Sequence, residues 1–464
     1  MQSVVECAVR WPSRPFCGKL GLAFCLIGLV GLGGCSAPTD TSSGAPSSQE
    51  VASQSESPSA APATSKKAGD RSRSNRETAS KGERSQETSG PPPKPLLSAE
   101  ELREGWFQLF DGQTLYGWQA DNDVNWSVRD GVITADTGPL GLLLTTVPFA
   151  DFELRLDFRL EKGGNSGVIL RSPLEPKDPA RDCYELNLCD SHKTYPTGSF
   201  VGRVRIDSPV SVEGEWHTYH VRAEGNRFRV KLDGKPILDF QDTSDAVVRA
   251  GRIALQKNKG KIEFRNIFVR PLGMQSLFNG RDLTGWRVVP GSKSTFSVED
   301  GTIRVKNGPG FLETEGTWAD FILQWEAITY GDELNSGVFF RAMPGTEEAP
   351  SNGYEVQIHN GFKDGDRSQP SNAGTGAIFR RTTARWVIPN DREWFTVTLI
   401  AHGAHIATWV NGIQVTDWTD TRRPDENPRR GLRLKAGHIS LQGHDPTTDL
   451  AFRGFRIAPL PASP

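Results

Sequence analysis

Cysteine, methionine and tyrosine are scarce in these 464 residues, at six, three and six copies. Cys7, Cys17, Cys25 and Cys35 fall in the first 35 residues, which leaves Cys183 and Cys189 for the rest of the chain. Those two bound the segment CYELNLC, which reads as a strand, and six residues of strand span roughly 20 Å. A disulfide needs Cα atoms within about 7 Å. The pair therefore cannot join along an unbroken strand, and both thiols are expected to be buried or shielded. The small cysteine count excludes a disulfide framework as the source of the fold. A surplus of one charge is also missing: the net charge is −2, so the chain as a whole carries no nucleic-acid signature. No long stretch has helical periodicity, and aromatic residues are absent from residues 36–95. The chain does have twelve tryptophans. These supply large apolar surface with a polar handle, for cores and for sugar-binding faces.

The first stretch reads as an address. Arg10, Arg14 and Lys19 precede residues 20–32 (LGLAFCLIGLVGL), an apolar run of about a dozen residues that is short for a membrane-spanning helix. It ends Leu32-Gly33-Gly34-Cys35, which resembles a bacterial lipobox. That resemblance implies lipidation of Cys35 and a cell-envelope location, with Ser36 favouring the outer membrane. Residues 36–95 are rich in Ser, Ala, Pro and charge and end in PPPKP. Such a segment cannot bury enough apolar surface to fold and is expected to be a tether. Residues 97–104 (LSAEELRE) read as one short helix capped by Ser98.

From Gly105 onward the sequence repeats itself. LFDGQTLYGW at 109–118 matches LFNGRDLTGW at 277–286, and WSVRDGVI at 126–133 matches FSVEDGTI at 296–303. FADFEL at 149–154 matches WADFIL at 318–323, NSGVILR at 165–171 matches NSGVFFR at 335–341, and YELNL at 184–188 matches YEVQI at 354–358. Colinear matches at an offset of about 170 residues mean duplicated domains, not a solenoid. Within each copy, runs such as FELRLDFRL alternate apolar and polar residues. Asp130-Gly131, Asp233-Gly234, Asp300-Gly301 and Asn411-Gly412 sit between such runs as hairpin turns should. The pattern predicts an all-β chain of two sandwiches. The expected organisation is a signal peptide at 1–35, a tether at 36–95, a first sandwich at 96–272 and a second at 273–464. The junction Pro271-Leu-Gly-Met is too short to let the two swing freely.

These signatures carry a resemblance. LF[DN]GxxLxGW, the NSGVxxR strand, the YExx strand, TG[SA], the EW strand and a closing GxIxLQ together resemble the 3-keto-disaccharide hydrolase domain family, over nearly the whole of both halves. The resemblance implies concanavalin-like jelly-roll sandwiches. It also implies a carbohydrate substrate, namely sugars whose C3 hydroxyl has been oxidised to a ketone.

Alternation sorts the candidate site residues. Glu355, Gln357 and His359 share one face of their strand, and continued alternation in NSGVFFR would put Arg341 on the same face. His444 and Asp445 follow Leu441-Gln442-Gly443, where the resemblance implies an Asp-His pair; here the order is Gly-His-Asp. A C3 ketone acidifies the C2 proton, so cleavage needs a base near C2, a stabiliser for the C3 oxyanion and help for the leaving oxygen. Glu355 or a histidine would be the base, Arg341 the oxyanion partner, and His444 or His359 an acid. The plain alternative for Arg341 and Glu355 is a cross-strand ion pair. Two histidines and a carboxylate could also hold a divalent cation, although the spacing is no recognised metal motif. The cofactor is otherwise left open. The first copy keeps Arg171 and Glu185, but Asn187 replaces Gln357, Cys189 replaces His359, and LQKNK has no histidine at the place of His444. The second copy is therefore the expected active one; Gln357, His359, Arg171, Glu185 and Asn187 are expected to bind substrate, and the first copy would be a binding or scaffolding domain or act on a different substrate. A non-catalytic carbohydrate-binding lipoprotein is the competing reading.

Overall fold

The computed structural model describes residues 90–178 and 180–462. The signal peptide, Cys35 and nearly all of the tether lie outside the described residues. No helix among the described residues is long and apolar enough to cross a membrane. The N-terminal element is the helix Ala99–Glu104. The Ser98 side chain accepts from the Glu101 amide and the Glu101 side chain accepts from the Ser98 amide, a complete capping box.

The elements after that are β strands, apart from one 3-10 turn at Ser371–Ala373, in two copies of one topology. In the first copy an eight-stranded sheet runs Lys235–Gln241, Arg227–Leu232, Trp216–Glu224, Phe152–Leu160, Ile262–Pro271, Val132–Ala135 and Ser127–Arg129, with Phe107–Gln108 beside Ile262–Pro271. A five-stranded sheet faces it, in the order Trp118–Ala120, Gly141–Thr145, Arg252–Lys259, Asn165–Ser172 and Tyr184–Leu188. The second copy repeats both orders strand for strand. Its five-stranded sheet runs Trp286–Val288, Gly310–Thr314, His438–Gly443, Ser336–Ala342 and Tyr354–Ile358.

Alternation explains why the sheets stack. Phe152, Leu154, Leu156, Phe158 and Leu160 all point into the first core, while Arg155, Asp157 and Arg159 between them are partly exposed. The Asp-Gly and Asn-Gly turns adopt paired positive φ, as at Asp233 (49°) with Gly234 (77°) and Asn411 (46°) with Gly412 (79°). This is the geometry whose twist matches the flanking strands.

The two sandwiches touch through aromatic and ionic contacts, as the short junction requires. The Trp409 indole donates to the Gln108 carbonyl at 2.8 Å, and its ring lies 4.8 Å from that of Phe107. Arg385 pairs with Asp111 at 3.0 Å with both side chains buried, and its guanidinium stacks over Tyr116 and Trp386. Asp111→Ala would strand that guanidinium without its counter-charge, so a loss on the order of 3 kcal/mol is expected in a denaturant titration. A change under about 1 kcal/mol would mean that the contact is dispensable.

Candidate active site

The edge strand Tyr354–Ile358 divides its side chains between two worlds. Tyr354, Val356 and Ile358 join the core, and Glu355 and Gln357 face the other way. Residues 375–382 run along this edge: the Phe379 amide donates to the Glu355 carbonyl and the Gly376 amide to the Gln357 carbonyl, both at 2.9 Å. That backbone, together with residues 428–429, walls a small cleft with Glu355, Arg380, Arg381 and Arg429 in its lining.

Glu355 is buried, and burial pushes its carboxyl up to about 7 even though the charges of Arg429, His444 and Arg380 act to lower it. Its nearest cation is Arg429, 3.3 Å from Oε2. Gly337, on the neighbouring strand, makes room for it, because a Cβ there would meet Glu355 Oε1 at 2.8 Å. The other residues of the NSG motif have equally local duties. The Ser336 hydroxyl donates to the Gln442 carbonyl at 2.7 Å. Asn335 accepts from Gln357 Nε2 at 2.9 Å and lies 2.9 Å from His444 Nε2. Because the Asn335 oxygen is taken by Gln357, its amide nitrogen faces the imidazole. That leaves Nδ1 as the protonated nitrogen of His444, donating to Asp445 at 2.8 Å. Hydrogen bonds from Thr447 and His444 hold the Asp445 carboxyl below its ordinary range. A chain Asp445–His444–Asn335–Gln357 thus runs to the strand that carries Glu355. Removing its middle by Asn335→Ala should lower turnover on the order of tenfold with little change in melting temperature. Unchanged turnover would show that the histidine needs no such partner.

Arg341 is not in this cleft. Continued alternation would have placed it beside Glu355, but the strand breaks register between Phe339 and Ala342 and Arg341 takes φ 47°. The bulge turns the side chain into the protein, where it is fully buried. Its guanidinium donates to the carbonyls of Ala319 and Gly403 at 2.7 Å, to that of Arg433 at 3.1 Å, and to Asp320 at 2.9 Å. Every nitrogen is engaged, so it can neither hold an oxyanion nor pair with Glu355. Arg171 repeats the arrangement. Its φ is 54°, and it bonds the carbonyls of Ala150, Gly225 and Val248 and the Asp151 carboxylate. It does not bind substrate from that position.

His359 lies beyond the strand end, ~13 Å along the chain direction from Glu355 at ~3.3 Å per residue. It is buried, its Nδ1 accepts from the Gly361 amide at 3.2 Å, and burial lowers its pKa against the nearby charges of Glu333 and Asp391. It belongs to the end of the sheet and not to the cleft. In the first copy Glu185 occupies the place of Glu355, buried and raised to about 7, but its partner is Gln256 at 3.0 Å and no cation touches it. Asn187 spends its amide on the Tyr195 carbonyl at 2.5 Å. Cys183 and Cys189 are both buried, and no disulfide joins them to each other. Among the described residues, no three of His, Cys, Asp and Glu converge as a metal-holding group.

Two copies with one strand order, each carrying the NSG and YE strands side by side, define the kinship. The chain belongs to the 3-keto-alpha-glucoside-1,2-lyase-like domain family. The match covers residues 105–270 and again 273–458. A 3-keto-disaccharide hydrolase of Bacteroides thetaiotaomicron is 32% identical over 78 residues, 14% of this chain and 27% of that protein. The match thus spans about a quarter of that relative's length. A solved structure from Parabacteroides distasonis, described as a candidate glycosyl hydrolase, is 23% identical, with 38% of this chain and 99% of that one covered at a TM-score of 0.35. A carbohydrate-binding module from Bacillus subtilis is 20% identical, with 33% and 95% covered at a TM-score of 0.28.

Sequence reasoning missed Asn335, Arg380 and Arg429 as site residues. Asn335 stood in the duplicated NSG motif, where a polar residue repeated at the start of an apolar strand was a usable signal. Arg380 and Arg429 come from stretches without periodicity, and nothing local marked them.

Proposed function

We propose that the second sandwich cleaves glycosides whose C3 hydroxyl has been oxidised to a ketone. The observation that carries this reading is Glu355: a buried carboxyl raised to about 7, lining a cleft beside the Arg429 guanidinium, with the charge of His444 acting on it from farther along the sheet. A base with its pKa near the working pH combines a useful ionised fraction with real proton affinity. Ionised Glu355 takes the C2 proton, and the electron pair moves toward the ketone, leaving charge on the C3 oxygen beside Arg429. The enolate then expels the C1 oxygen, which leaves as an alcohol with the proton that Glu355 took. Water adds across C1 and C2, placing hydroxyl on C1 and returning a proton to C2. The sum is glycoside plus water giving a 3-keto sugar and an alcohol.

Cleavage in D₂O tests the route. Elimination followed by hydration puts deuterium on C2 of the released 3-keto sugar, read by mass spectrometry and NMR. Release without C2 label in early product would mean direct displacement at C1. Binding without release would favour a carbohydrate-binding module.

We also propose that the chain is a lipoprotein held at the cell envelope through Cys35. Cys35→Ser should abolish labelling by a fatty-acid probe and move the protein from the membrane fraction to the soluble one. Continued membrane partitioning of the variant would refute the anchor.

A further inference from the structure

The duplication provides an internal control for the Glu355 cleft. Three differences separate it from the same place in the first copy, and all three concern guanidinium groups. The first is Arg380, which stands where the first copy has Gly202 in the TG[SA] segment. Both residues hold a left-handed backbone, φ 60° for Arg380 and 72° for Gly202. Glycine adopts that conformation freely, whereas an arginine there is strained. At Gly202 a side chain would have no room, since a Cβ would meet the Ala180 Cβ at 2.5 Å. At Arg380 the side chain is exposed in the cleft lining.

The second difference is the partner of Arg381. Its counterpart Arg203 is locked to Asp242 at 2.6 Å, with both side chains buried. In the second copy the matching carboxylate, Asp420, is taken by Arg422 at 2.7 Å, where the first copy has Ser244. Arg381 instead donates to the backbone carbonyls of Arg380 and Arg429, at 3.0 and 2.7 Å. The third is Arg429 itself, which arrives on the 420–436 segment, longer than its equivalent after Asp242.

The cleft therefore carries three guanidinium groups and one carboxylate in its lining. Arg429 pairs with Glu355 at 3.3 Å, the charge of Arg380 also acts on Glu355, and Asp420 still acts on Arg381 through space, so three guanidinium groups share the one carboxylate of the lining. An arginine with a left-handed backbone where the first copy has glycine, beside one whose direct bonds go to backbone carbonyls instead of the matching aspartate, gives the cleft surplus positive charge for an incoming anion.

We infer that the Glu355 cleft takes a sugar bearing an anionic group, a carboxylate or a sulfate ester, held by Arg380 and Arg381. This rests on the reading of that cleft as the sugar site and adds the class of sugar.

The test is binding of methyl glucuronide, methyl glucoside 6-sulfate and methyl glucoside to the full chain, followed by NMR. Wild type should bind an anionic probe at least about tenfold more tightly than methyl glucoside at low salt, and added salt should erode the preference. Preference for the glucuronide identifies a carboxylate, and preference for the 6-sulfate identifies a sulfate ester. Arg380→Gly, the residue of the first copy, should reduce the preference to about threefold or less while keeping or raising the melting temperature, because glycine fits that φ. Equal binding of all three probes by wild type, or an unchanged preference in folded Arg380→Gly, overturns the inference. Turnover is a separate readout. An anion preference in a protein that leaves 3-keto substrates intact refutes the cleavage chemistry and keeps the anion pocket. Cleavage of neutral 3-keto disaccharides with no anion preference does the reverse.

Discussion

Arg341→Met is expected to destabilise the second sandwich by about 3–5 kcal/mol, a melting-temperature loss on the order of 10 °C. The side chain is fully buried, and its loss leaves Asp320 and the carbonyls of Ala319, Gly403 and Arg433 without their shared donor. Removing one partner of a buried charged pair is costly because the other stays behind desolvated. Arg171→Met should behave alike in the first sandwich, with a smaller loss because its carboxylate partner Asp151 is 36% exposed while Asp320 is 11% exposed. Turnover per folded molecule should be preserved in both. Denaturant titration and activity on the same samples check this. A stable Arg341→Met protein with lost turnover would return this arginine to the chemistry.

Glu355→Gln is expected to cost on the order of 10²-fold or more in turnover of a 3-keto glycoside, since it removes the base and leaves the shape. The wild-type rate should rise with pH through about 7, as the carboxyl ionises. The same group makes a forecast about stability, and the sign is opposite to that of a salt-bridged carboxylate. The folded pKa lies above the unfolded one, so between pH 4.5 and about 7 the folded protein holds a proton that the unfolded chain has released. Stability therefore falls with rising pH across that window, by a ceiling on the order of 3 kcal/mol for this group. Glutamine does not titrate, so Glu355→Gln should gain on wild type as pH is raised from 4 to 8. Glu185→Gln should gain in the same way, because burial raises Glu185 equally. A constant difference between variant and wild type across this range would mean that Glu355 titrates normally and is not the poised base.

Much of the fold was legible in the sequence for reasons that are local. The Asp-Gly and Asn-Gly pairs mark the hairpins because few residues accept paired positive φ. Alternation in FELRLDFRL assigns both faces of a strand, and duplicated motifs impose one topology twice. The candidate site was legible in part. Glu355 and Gln357 follow from alternation in YEVQI, and the His444–Asp445 pair lies on the loop that the resemblance pointed to. Arg341 was misplaced by the same rule that placed Glu355. NSGVFFR continues its alternation on paper, and a one-residue bulge at a left-handed arginine reverses the direction of a side chain without changing the pattern. Gly437 and Gly251 lie against the two bulges, where a Cβ would meet the arginine backbone at 2.2 and 2.3 Å, but a lone glycine carries many other meanings. Arg380 and Arg429 reach the cleft through tertiary packing of irregular segments, which no period encodes.

Of two sandwiches with one strand order, only the second sets its buried glutamate among guanidinium groups and within reach of a histidine's charge, and we assign the chemistry to it. The direct measurement is sugar release from a 3-keto glycoside, with the unoxidised glycoside as control, by full-length wild type, Glu355→Gln and Glu185→Gln at matched folded concentration, repeated with a 3-keto glycoside bearing a carboxylate. The expected result is release from the oxidised substrate alone, loss on the order of 10²-fold in Glu355→Gln, and activity within about threefold of wild type in Glu185→Gln. Equal losses in the two variants, or release that neither variant affects, would contradict it.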